Sequence, residues 1–73
     1  MQVSLQALKA FESAARRGSF KLAAEELSLT PTAISHHIGN LENRLNVSLF
    51  HRQGRRISLT GTGIRLAKAT SEG

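Results

Sequence analysis

Seventy-three residues, 40% of them hydrophobic, make one small domain with room for a single core and only modest stability. Ten lysines and arginines against five acidic residues leave a net charge of +5, which favours a polyanionic partner, and the absence of cysteine excludes a disulfide framework or a thiolate metal site. No stretch approaches the ~20 apolar residues of a membrane span, and MQVSLQALKAFESAARR lacks the apolar run of a signal peptide, so the expected setting is the cytoplasm, without a membrane partner.

The first helix is expected after Ser4, a good N-cap, with Leu5, Leu8, Phe11 and Ala15 as its apolar positions. Arg16 and Arg17 suit the negative end of its dipole, and Gly18 suits a left-handed cap. Ser19 then caps a second helix carrying Phe20, Ala23, Ala24 and Leu27 at helical spacing. The run Ser28-Leu29-Thr30 interrupts it, and Thr30 with Pro31 opens a third helix, because proline at the first turn loses no hydrogen bond. Two short helices joined by so tight a turn read as a helix-turn-helix.

In the third helix Ile34, Ile38, Leu41 and Leu45 fall within one narrow stripe that must be buried. Thr32, His36, Gly39 and Asn43 point away from it, flanked by Ser35, His37 and Asn40. Small, uncharged, hydrogen-bonding side chains on the exposed half of a helix suit a groove lined by base edges and phosphates. Glu42 is the only acidic residue there.

Asn46 is the expected stop, followed by β-compatible runs at Val47 to Arg52 and Ile57 to Leu59, separated by Gln53-Gly54-Arg55-Arg56. A small hairpin with a basic tip follows, from which Arg55 and Arg56 can enter a minor groove or grip phosphate, with Arg52 at the strand end supporting the same backbone. Thr60 caps a fourth helix with Ile64, Leu66 and Ala67, weakened by Gly61 and Gly63, and expected to run to about Ala69 before a loose end at Thr70 to Gly73. The expected core is Phe11, Phe20, Ile34, Ile38, Leu41 and Phe50.

Helix, helix, helix, hairpin, helix is a mostly α fold, the winged helix-turn-helix: a three-helix core, a short β-hairpin wing and the start of a further helix. The chain resembles the N-terminal DNA-binding domain of LysR-type transcriptional regulators over nearly its whole length. LQALKAFESAARRGSFKLAAEELSLTPTAISHHIGNLE carries the Phe of helix one, the Gly-Ser-Phe start of helix two, the Ala-Ala-Glu-x-Leu run and the Ala-x-Ser-x-x-Ile-x-x-Leu-Glu run in register. LNVSLFHRQGRRISLTGTG is similar to the Leu-Phe-x-Arg strand, the wing and the Leu-Thr-x-x-Gly opening of the linker helix.

The resemblance implies sequence-specific binding of double-stranded promoter DNA by a bacterial regulator. Residues 1–59 would form the DNA-binding domain, with the helix-turn-helix at about 20–39 and the wing at about 49–59, and residues 60–73 would begin a truncated linker and dimerisation helix. Thr32, Ala33, Ser35 and His36 fall where the family approaches bases and backbone, and Arg55 falls at the wing. The Ala23–Ala24 pair would let helix two approach helix three closely. His36 stands where arginine or glutamine is frequent, and Gly61 where a helix-favouring residue is common. The family's regulators are far longer, with a C-terminal effector-binding domain. The chain is therefore read as an excised DNA-binding domain, weakly self-associating, of a protein that forms homo-oligomers through the linker helix.

No enzyme is expected. Ser35, His36 and His37 diverge around the helix, and no Asp exists to orient a histidine. No metal or other cofactor is expected either: of His36, His37 and His51 the first two cannot share a helical face, no i, i+4 His pair or Cys exists, and Gly61-Thr62-Gly63 lacks the Gly-Lys-Ser/Thr of a phosphate loop. The rival reading is a winged-helix protein-association module without specific DNA binding, which requires an exposed apolar patch on helix three or the wing. Single-stranded nucleic acid is disfavoured because Trp and Tyr are absent and the three phenylalanines are assigned to the core.

Overall fold

Each helix begins where a hydroxyl takes up a backbone N–H that has no partner inside the helix. In the computed structural model, which describes residues 4–53 and 56–72 (71 and 72 by backbone alone), α1 spans Leu5–Arg17, α2 Phe20–Leu27, α3 Pro31–Leu45 and α4 Gly61–Glu72. Ser4 accepts from the Ala7 amide, Ser19 from Leu22 and Thr30 from Ala33. Thr60 Oγ1 does the same for α4, accepting from the Gly63 amide over 2.9 Å. Three helices stop at residues in the left-handed region, Gly18 at φ 67°, Ser28 at φ 58° and Asn46 at φ 55°. The fourth helix is longer than its sequence suggested, running on through Thr70 and Ser71.

The wing is a two-stranded antiparallel sheet of β1 (Phe50–Gln53) and β2 (Arg56–Leu59), with Phe50 opposite Leu59 and Gln53 opposite Arg56. The first strand starts later than the expected Val47, because the Glu42 carboxylate takes the Leu49 amide, which a ladder continued past Thr60 would need. Arg55, expected at the tip, lies outside the described residues.

The core comprises Phe11, Ile34, Ile38, Leu41, Leu49 and Phe50, with Ala7, Ala10, Ala14, Ala23 and Ala24 filling the closest helix approaches. Two expectations are corrected. Phe20 is half-buried at the rim, its ring edge-on to Phe50 at 5.6 Å, and Leu49 holds the interior place instead. Phe11 packs against Phe50 as well, also at 5.6 Å. The buried stripe of α1 is likewise rotated: its alanines face α2 and α3, where small side chains let the backbones close up, while Leu8 and Ala15 are half-buried and Leu5 is exposed. Ser13 is also fully buried, and its hydroxyl has no hydrogen-bond partner among the described residues.

Gly63 resolves the apparent weakness of the start of α4. A Cβ there would stand 2.3 Å from the Leu49 carbonyl oxygen and 2.9 Å from Leu59 Cδ2, so only glycine lets the helix seat against the wing. Ion pairs tie the last turns of α1 and α2 together: Arg16 bonds Glu12 and Glu26, and Arg17 bonds Glu26 over 2.8 Å. The Arg16 guanidinium, then that of Arg17, holds the Glu26 carboxyl down at about 2.

Candidate nucleic-acid interface

Once Ile34, Ile38 and Leu41 turn inward, the opposite face of α3 is left as an open groove of about 400 Å³. Thr32, Ser35, His36, Gly39, Asn40 and Asn43 line it. No charged side chain is among them. Thr32, His36 and Asn40 are exposed, Ser35 is half-buried, and Gly39 leaves open space where a side chain would stand. The face therefore offers hydroxyl, imidazole and amide groups, which both donate and accept. It can match mixed patterns of donors and acceptors such as base edges display.

Of the residues singled out in the sequence, Thr32, Ser35, His36 and Asn40 are brought together in this groove. Ala33 and His37 lie outside its lining and are half-buried on the flanks. Asn43 belongs to the groove as well, as its helical position indicated. On the wing, Arg56 is exposed at the end of β2.

Arg52 is placed differently from a free phosphate contact. Its Cζ lies 5.1 Å from the centroid of the Phe20 ring, Nη1 donates to Ser35 Oγ over 3.3 Å, and Nη2 stands 3.9 Å from Glu42 Oε1. Glu42 is a brace: its Oε2 accepts from the Leu49 amide at 2.8 Å and from Phe50 at 3.4 Å. The available signal was that Glu42 is the only acid on a basic domain's candidate binding helix, which demands an internal partner.

Among the described residues, the exposed large apolar side chains are Leu5, Leu22 and Ile64, none of them on α3 or the wing, so the association-module reading gains no support. No group of three or more His or Glu side chains is arranged to hold a metal among the described residues, and no described helix is long and apolar enough to cross a membrane.

The family described as bacterial regulatory helix-turn-helix protein, lysR family, matches residues 5–64. The chain is 58% identical over 59 residues to the transcriptional regulator PerR of Escherichia coli K12, covering 81% of this chain and 20% of PerR. With TrpI of Pseudomonas aeruginosa the identity is 49% over 69 residues, covering 94% and 23%. The chain thus spans about a fifth of the length of these curated relatives. Among solved structures, the BenM DNA-binding domain in complex with catB site 1 DNA superposes with a TM-score of 0.89 at 28% identity, covering 94% of this chain and 77% of that one. The CbnR DNA-binding domain–DNA complex gives 0.88 at 29% identity, covering 99% and 80%.

Proposed function

The chain belongs to the LysR family of bacterial regulatory helix-turn-helix proteins, and from that premise we propose that it binds specific duplex DNA as the recognition domain of a transcriptional regulator. The outer face of α3 enters the major groove, and the hairpin lies on the minor groove and backbone. One observation carries the reading: α3 turns its whole apolar stripe inward and presents an uncharged, hydrogen-bonding groove beside a basic wing. Thr32, Ala33, Ser35, His36, His37 and Asn40 meet bases and adjacent backbone, while Arg55 and Arg56 meet phosphate or the minor groove. Residues 1–59 form the binding unit, and residues 60–73 begin the helix through which subunits pair. The setting is the cytoplasm, and the role is regulatory rather than enzymatic.

Titration with a random-sequence duplex and with a duplex selected from a randomised library, each at two salt concentrations, tests this. His36→Ala should lose about 1–3 kcal/mol on the selected duplex and much less on random DNA. Neutralising Arg55 and Arg56 together should weaken both duplexes almost equally and reduce the salt slope by about 0.9 for each phosphate no longer neutralised. A His36 variant that binds both duplexes as the parent does would overturn the role given to α3.

Pairing through α4 is weak in this chain, because an isolated helix of 12 residues is marginal and offers few apolar residues to a partner. Sedimentation should find a monomer at micromolar concentration. A tight dimer there contradicts this.

A further inference from the structure

Arg52 leaves the first strand of the wing and turns back onto the helices. Phe20 at the start of α2 offers its ring face, and Ser35 and Glu42 on α3 offer oxygens, so one guanidinium touches three points on two helices. With 45% of the side chain exposed, the 3.9 Å approach to Glu42 is screened and contributes little. The hydrogen bond to Ser35 and the stacking on Phe20 set the orientation.

Ser35 is the one of these partners that lines the outer groove of α3. The geometry points to Arg52 as a positioning residue for DNA recognition, acting through the Ser35 hydroxyl rather than through a phosphate of its own. The inference rests on the DNA-binding reading. A serine hydroxyl has one donor and two acceptor sites, and a helical serine left alone commonly donates to the carbonyl four residues back, here that of Pro31. A guanidinium that donates to Ser35 Oγ from the wing side favours the rotamer it can reach and leaves the O–H free to donate into the groove. The same contact fixes the wing strand against α3, so both DNA-facing elements keep one relative pose before DNA arrives.

The test is a double-mutant cycle with Arg52→Met, Ser35→Ala and the pair, titrated against the same selected and random duplexes across salt. Arg52→Met should weaken the selected duplex about tenfold, as expected for removal of a charge-assisted hydrogen bond. It should leave the salt slope as in the parent, and the double variant should bind no more weakly than Ser35→Ala alone. If Arg52→Met loses its cooperative melt, Arg52→Lys, which keeps the charge but not the planar fork, replaces it in the cycle, and its loss must again vanish beside Ser35→Ala. A slope reduced by about 0.9 in Arg52→Met marks a direct phosphate contact and overturns the inference. Losses that simply add in the cycle overturn it as well. A parent that binds neither duplex overturns the DNA-binding reading, and this inference with it.

Discussion

Helices α3 and α4 are similar in length, 15 and 12 residues, yet the fold uses them in opposite ways. Every large apolar residue on the inner face of α3 is enclosed or half-enclosed by this chain, so its outer face carries only polar chemistry. In α4, Leu66 and Ala67 are half-buried and Ile64 is 47% exposed. A shallow apolar groove beside it runs past Leu5, Leu8, Leu27 and Ala69. The first helix is complete within the domain and displays a surface for reading. The second is held at its start by Gly63 and Thr60 and is otherwise loosely applied. Apolar spacing does not separate them, for both sequences are amphipathic; what separates them is how many elements close over each.

The contrast can be broken by truncation. Ile38→Ala should cost about 2–5 kcal/mol, a large share of what so small a domain possesses, and should abolish or severely lower the cooperative melt. Ile64→Ala should stay within about 0.5 kcal/mol of the parent. Comparable losses from the two would mean that α4 belongs to the core as fully as α3 does. Differential scanning calorimetry or circular dichroism decides it.

The glycines sharpen the same contrast at smaller scale. Gly63→Ala drives a methyl into the Leu49 carbonyl and should cost about 1–3 kcal/mol by forcing α4 off the wing. Gly39→Ala, in the middle of α3 with nothing beyond its own helical turn within 4 Å of the new Cβ, should instead stabilise by about 1 kcal/mol through helix propensity. Opposite signs in the two melting temperatures are the expected result.

The smallest effect concerns the ion pairs that join α1 to α2. Glu26 is held at about 2 by Arg16 and Arg17, below its usual 4.5, so its stabilising contribution is full above pH 4.5 and fades as pH falls toward 2. The gap in melting temperature between the parent and Glu26→Gln should therefore narrow over that interval. A gap that is constant with pH would show the carboxylate is not engaged.

Local signals were legible in the sequence to the residue. Ser4, Ser19, Thr30 and Thr60 as caps, and Gly18 and Asn46 as stops, depend on contacts three or four residues apart, which spacing and residue type reveal directly. The polar outer face of α3 was legible for the same reason. What sequence periodicity missed is contact between distant segments: Leu49 as a core residue, Glu42 reaching the strand amides, Arg16 and Arg17 closing on Glu26, and Arg52 folding back 17 positions to Ser35. The phenylalanines were misassigned in part because aromatic size says that a ring is covered somewhere, not how deeply. Phe20 is covered on one side by Phe50 and on another by a guanidinium, which suffices at a rim.

The Thr60 hydroxyl donates to the Ser48 carbonyl while accepting from Gly63, the Thr60 amide donates to Leu49, and the Leu49 amide donates to Glu42 on α3. Mechanically this is a bracket of very short spans, so the first turn of α4 is tied to α3 through the strand between them. Anything that clamps α4 therefore works as a ruler. If subunits pair through α4 as proposed, the distance and angle at which each α3 is presented are set at the root of the fourth helix rather than on the outer face of α3.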